Sequence, residues 1–259
     1  MIKVRGDRLI AMTILSVAGG LCSVPLIVFG GPIDLRSLPF LLGSVFVHTF
    51  YYAALIASYR AADLSHAYPL ARGSAPLLLT LAAPLWLGET ITTPEALGIA
   101  MISCGIFALL RLPGGLVANW RMAAYPLATG ITIATYTVFD TLGVRASGNP
   151  PAYVGWLFFL DTFPILLFVV VRHPMALIAT LRTGPWLPAL GGVISALGYG
   201  MVLVAISFGQ AEHVAALRET SVILAALIGT RLLGEPFGPR RVFAAALVAA
   251  GAVVLEVGG

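Results

Sequence analysis

Five charged side chains stand where charge is expensive. Arg72 and Arg218 lie about two and about one and a half helical turns inside the apolar runs Ser65–Glu89 and His213–Glu235. Asp140, Asp161 and Glu219 are acids inside or at the edge of similar runs. A guanidinium carried to bilayer depth costs about 2.5–3.5 kcal/mol on insertion scales, so something must hold it. Arg72 shares a helical face with Tyr68 and Pro76, four residues to either side. Pro76 has no N–H, so the Arg72 carbonyl that it would have bonded is left open, and a fixed cation beside an open carbonyl suits an anionic or zwitterionic solute. Arg218 is followed by Glu219, Thr220 and Ser221, which add an acid and two hydroxyls. The same two arginines equally fit structural ties, snorkelling to the headgroups or pairing with Asp63, Glu219 or a helix C-terminus.

The remaining polar groups fall into stripes. Tyr125, Thr129, Thr132, Tyr136 and Asp140 step by helical spacing along one run, and His48, Tyr52 and Tyr59 share a face on another. In hydrocarbon such a stripe faces protein or water, either lining a cavity or bonding helix to helix. Asp161 sits mid-helix in Phe158-Phe-Leu-Asp-Thr-Phe-Pro164, to relay protons or to pair with a neighbouring hydroxyl or arginine. Glu89 and Glu235 follow Gly88 and Gly234 at helix ends, where a carboxylate costs little and serves the fold or a gate. His48 reads as a packed or hydrogen-bonded residue, and His66, His173 and His213 as interfacial. No set of side chains has metal-ligand spacing, so no metal and no cofactor are expected. Cys22 and Cys104 both fall in apolar runs and read as small buried thiols.

The elements that must carry these groups are membrane helices. Apolar residues form 59 % of the chain and charged ones 10 %, against roughly 25 % charge in a soluble domain. Nine apolar segments follow one another at approximately 9–29, 39–58, 65–87, 94–110, 119–141, 151–171, 185–208, 213–233 and 241–257, joined by short links rich in Gly, Pro and charge. The two arginine-bearing segments are copies. Arg72 and Arg218, Gly88 and Gly234, Glu89 and Glu235, and Gly105 and Gly251 are all separated by the same 146 residues. The chain therefore divides into a first repeat over 1–112 with four helices and a second over 113–259 with five, so either a further helix of about twenty residues belongs ahead of Met1, as the symmetry favours, or nine spans stand as they are. Lys3, Arg5, Arg8, Arg60, Arg111, Arg121, Arg172, Arg182, Arg231, Arg240 and Arg241 fall on one side of the membrane, and only Arg36 and Arg145 on the other. Positive-inside logic places the Met1 end in the cytoplasm and the Gly259 end outside. An odd number of helices per repeat makes the repeats inverted. The basic residues are spread through short loops, so a pI near 9.3 reports topology and no nucleic-acid partner.

The segment Ala67-Tyr-Pro-Leu-Ala-Arg-Gly-Ser-Ala-Pro76 with its Leu87-Gly-Glu89 close, the segment Ala216-Leu-Arg-Glu-Thr-Ser-Val222, and the five-helix duplication resemble the EamA-type transporters of the drug/metabolite transporter superfamily. The resemblance covers nearly the whole chain. It implies an all-α, polytopic bundle of two inverted five-helix repeats around a central cavity that carries small metabolites across the inner membrane. The sequence departs from the pattern by starting at the second helix, and by a charge bias that puts Gly259 outside where members are drawn with both ends inside.

Three classes compete: a secondary transporter, an intramembrane lipid-processing enzyme, and a non-transporting helper subunit. The enzyme needs a nucleophile and base or metal ligands, and no Ser/His or His-Glu-x-x-His arrangement occurs. A helper subunit has no need of two buried arginines and a polar stripe. The expectation is a multi-pass exporter of an amino-acid-like or other anionic or zwitterionic solute in the inner (plasma) membrane. Arg72 and Arg218 would bind the solute's anionic group, with Tyr52, Tyr68, Tyr136 and Tyr199 shaping the pocket. Asp140, Glu219 and Asp161 would face an amine or carry a proton, and Pro76, Gly88, Glu89, Gly234 and Glu235 would serve structure or gating. The partners expected are the solute and membrane lipids, and the arrangement allows a homodimer.

Overall fold

A computed structural model of the chain describes residues 8–61, 64–108, 120–220 and 239–258. These are helical almost throughout, and among the described residues no strand occurs. The helices are α1 (Arg8–Gly30), α2 (Leu38–Ala61), α3 (Leu64–Ala82), α4 (Thr93–Phe107), α5 (Trp120–Ala146), α6 (Pro150–Arg172), α7 (Pro174–Arg182), α8 (Trp186–Ile206), α9 (Ala211–Arg218) and α10 (Pro239–Gly258). Six of them are long and apolar enough to cross a membrane, and α4 and α10 are shorter apolar helices. Eight of the nine expected segments thus meet a helix over most of their length. The segment expected over 213–233 is described only at its start, as the end of α9, and Gly234 and Glu235 lie outside the described residues.

The sequence reading did not separate α7, a nine-residue helix between Arg172 and Arg182 that is too short to span. Its Pro174 stands at the first helical position, where a missing N–H is harmless. Ala176 and Leu177 pack on the buried residues Ile10, Ile14 and Val169, while Met175 and Leu181 face outward.

The chain forms two compact units, Met1–Ile56 with Phe139–Phe208, and Ala57–Val138 with Gly209–Gly259. In the first, α1 lies against α6 and α8 with small residues at the crossing. A Cβ added at Gly19 would meet the Gly192 carbonyl oxygen at 3.3 Å, and Ser23 donates to the Gly155 carbonyl at 3.1 Å. Such close approach is how helices associate where lipid removes the hydrophobic drive. The Asn149 amide donates to the Gly30 carbonyl at the end of α1. Outside the spans, Arg36 bonds the Asp34 carboxylate at 2.6 Å and holds its pKa down to about 2. A depressed acid contributes stability above its free value and loses it as pH falls through the folded value. The Asp34 carboxylate is therefore expected to stay ionised to about pH 2, and a carboxyl carbon NMR titration checks it.

In the second unit α4 and α10 cross at glycine. A Cβ on Gly251 would stand 2.7 Å from the Gly98 carbonyl oxygen, and a Cβ on Gly98 would stand 2.8 Å from that of Gly251. Around this crossing Ile99, Ile102, Ile106, Ala216, Val248 and Leu255 are buried, with Leu77 and Leu217 packed on them. Gly105 and Gly251, paired by the repeat offset, both serve this one interface. Gly251→Ala would press on the Gly98 carbonyl and on the backbone N and Cγ1 of the buried Ile102, so it is expected to destabilise the protein by about 1–3 kcal/mol, read as a lower unfolding midpoint in detergent. The cysteines depart from expectation: Cys22 is half-buried and Cys104 exposed. An apolar run fixes that a residue avoids water, and an outward face toward lipid satisfies that as well as a core does.

Candidate functional site

The expected site residues that the structure describes fall in two groups, one in each unit. In the unit of Ala57–Val138 and Gly209–Gly259, Arg72 on α3 and Arg218 at the end of α9 both meet Glu219. Arg72 Nε lies 3.0 Å from Glu219 Oε2, and Arg218 Nε lies 3.4 Å from Oε1. The Glu219 side chain is wholly buried, whereas the Arg72 and Arg218 side chains keep 22 % and 17 % of their surface accessible. The Arg72 contact is ionic, outside hydrogen-bond alignment at both atoms. Two guanidinium groups thus lie against one buried carboxylate.

The sequence builds this arrangement locally. Leu77 on α3 and Ala216 and Leu217 on α9 anchor both helices in the apolar core, which brings the two arginines to one acid. The Leu87-Gly88-Glu89 close has a physical meaning too. Gly88 takes the left-handed φ of +67° that ends the π-helical turn Ala83–Leu87, a conformation glycine adopts freely. Glu89 then turns its carboxylate to the Ala211 N–H, at 3.2 Å and 3.3 Å, at the start of the helix that carries Arg218. An anion on the first N–H groups of a helix satisfies donors that have no partner within the helix. Pro76 is buried within α3. Tyr136 is buried on α5, and the side chain of Tyr68 lies outside the described residues. On the α5 stripe Thr129 bonds Ser58 at 2.9 Å as helix-to-helix glue, and Tyr125 points outward at 41 % exposure.

The unit of Met1–Ile56 and Phe139–Phe208 holds a polar core of different character. Tyr52 on α2 donates to Asp161 Oδ2 on α6 at 2.5 Å, and Tyr199 on α8 donates to Asp140 Oδ2 on α5 at 2.7 Å. Asp161 thus takes the hydroxyl pairing that was one of its two expected roles. Each acid keeps its second oxygen, Oδ1, buried with no hydrogen-bond partner. His48, 8 % exposed, is an electrostatic neighbour of both acids, and the Ser44 hydroxyl and Tyr153 lie beside Asp140. His48 Nδ1 is 3.0 Å from the Ser44 carbonyl oxygen. The Ser44 hydroxyl lies 3.2 Å from the same ring nitrogen. Sequence reasoning missed His48, Ser44 and Tyr153 as members. The four-residue step from His48 to Tyr52 was the available signal for the first, the preceding turn held the second, and nothing local marked the third.

The model of the EamA-like transporter family matches residues 120–257, more than half of the chain. The chain belongs to the EamA-like transporter family. That family lies in the drug/metabolite transporter superfamily, and its members are transporters. The fold of this EamA-like protein is also similar to that of a solved crystal structure, with a TM-score of 0.71 at 16 % identity, covering 98 % of this chain and 89 % of that one. A search of curated proteins gave no match. Membership accounts for the polytopic helical architecture and for a role in moving a solute, and leaves the solute to be argued from the side chains.

Proposed function

We propose that this EamA-like protein is a secondary transporter that exports a small anionic or zwitterionic metabolite, amino-acid-like in its charge pattern, across the inner membrane by alternating access. The observation that carries the reading is the Arg72–Glu219–Arg218 cluster, in which two partly accessible cations share one buried acid. A solute carboxylate would meet two guanidinium groups brought together on one acid, and each presents the planar fork that matches a carboxylate. Arg72 and Arg218 bind the anionic group, and Glu219 holds both guanidinium groups in place and faces an amine where the solute has one. Tyr136 shapes the approach. The resting cluster is held together without solute, which a carrier needs in order to return empty. No catalytic role is assigned to any residue.

A thermal-shift screen of metabolites against the purified protein tests this directly, because a ligand that binds only the folded state raises the unfolding midpoint. Carboxylate-bearing solutes are expected to be the stabilising class. A screen in which only cationic solutes stabilise the protein would refute the assignment.

A further inference from the structure

The stretch from Arg172 to Trp186 takes no part in the arginine cluster, and it holds two arginines, one histidine and no acid. The spans that flank it, α6 and α8, have 23 and 21 residues, about 34 Å and about 32 Å at the helical rise, enough to cross the hydrocarbon. Arg172 closes the first span and Trp186 opens the second, so the stretch between them stands at the membrane boundary. We propose that α7 lies in the plane of that boundary and that Arg172 and Arg182 hold an anionic phospholipid against it, which makes this end of the unit a lipid-docking surface.

Packing fixes the helix at that depth. Ala176 and Leu177 rest on the buried Ile10, Ile14 and Val169, together with Leu9 and Ala189, so α1, α6 and α8 all hold α7 down. Its outward side is apolar as well: Met175, Ile178 and Leu181 are 76 %, 43 % and 51 % exposed, and Trp186 just beyond is 67 % exposed. Side chains of this kind are poorly suited to water, and nine residues are too few to span. That leaves the zone between headgroups and acyl chains, where an amphipathic helix buries its apolar side and tryptophan concentrates.

Charge selects the occupant. Arg172 ends α6 and Arg182 ends α7, one at each end of the short helix, and both are exposed. The described acids of this unit are engaged elsewhere, Asp34 with Arg36, Asp140 with Tyr199 and Asp161 with Tyr52. Among the described residues neither Arg172 nor Arg182 has an ion-pair partner. A guanidinium fork matches phosphate oxygens two at a time. Phosphatidylcholine offers the same phosphate with a cation of its own, so these two arginines favour a lipid of net negative charge. A second copy docking by the same end would set arginine against arginine.

The test uses the full chain in vesicles of about three parts phosphatidylcholine to one part phosphatidylglycerol, with bromine on the acyl chains of one lipid at a time. Bromine quenches tryptophan on contact, and subtracting the signal of a Trp186→Phe protein isolates Trp186. Brominated phosphatidylglycerol is expected to quench Trp186 beyond its share of the lipid. Arg172→Gln and Arg182→Gln are each expected to lower this preference by up to about five-fold, the effect of one basic residue near an anionic surface. Arg36→Gln, which deletes a charge beyond the opposite end of α1, is expected to leave it unchanged. Where a Gln variant does not fold, raising the salt from about 0.05 M to about 0.5 M is expected to erase the preference in the wild type. Quenching by both lipids in proportion to their share, or a preference that survives both substitutions, overturns the proposal. Quenching by neither lipid means that protein covers this face, and overturns it too. No solute enters the measurement, so none of these failures touches the transporter reading.

Discussion

Glu219→Gln is expected to lower the unfolding free energy by about 3–5 kcal/mol, the usual cost of removing one partner from a buried ion pair. The substitution keeps shape and an acceptor oxygen while deleting the charge. Arg72 and Arg218 then repel across a buried position that held the neutralising carboxylate at 3.0 Å and 3.4 Å. The loss is set by the charge imbalance and not by the removed contacts, so a double-mutant cycle isolates it. Arg72→Met placed on top of Glu219→Gln removes one of the two cations and is expected to restore part of the stability. Thermal and denaturant unfolding in detergent reads both. A Glu219→Gln protein as stable as the wild type would mean the two guanidinium groups are screened by something other than this acid.

Arg72→Ala is expected to do the opposite, sparing the fold and removing function. Arg218 remains to neutralise Glu219, so the buried carboxylate keeps an ionic partner. What is lost is the cation with the larger accessible share. A hydrogen bond to a charged group contributes about 1.5–3 kcal/mol, so solute affinity is expected to fall roughly 10- to 150-fold. Arg72→Lys is expected to recover only part of this, because an ammonium keeps the charge and loses the planar fork that matches a carboxylate. Solute-dependent thermal shift measures affinity and the baseline midpoint measures stability in the same experiment, so the two roles separate.

The helices were legible because hydrophobic length is a local property: α1, α2, α5, α6 and α8 each announce themselves as long apolar runs. The helix α7 was not, since nine residues between two arginines carry no spanning signal. The Arg72–Glu219 contact stood among the alternatives that the sequence left open, and the core around Leu77, Ala216 and Leu217 selected it. The Tyr52–Asp161 and Tyr199–Asp140 bonds join residues 109 and 59 positions apart, and no periodicity within one helix specifies such a pairing. His48 reads from the sequence as a packed or hydrogen-bonded residue, and it is buried with Ser44 on its Nδ1. Only the convergence of α2, α5 and α6 shows that it faces two acids. The leucine-glycine-glutamate motif was recognised as a repeat marker, and its cap on α9 followed only from tertiary placement.

Solute counterflow into proteoliposomes, with wild-type and Arg72→Ala proteins side by side and a panel of carboxylate-bearing, neutral and cationic metabolites, tests most directly whether this protein carries an anionic group on its arginine cluster. The expected result is concentrative exchange of at least one carboxylate-bearing solute by the wild type and its loss in the folded Arg72→Ala variant. Exchange confined to neutral or cationic solutes, or carboxylate exchange undiminished in Arg72→Ala, would contradict it.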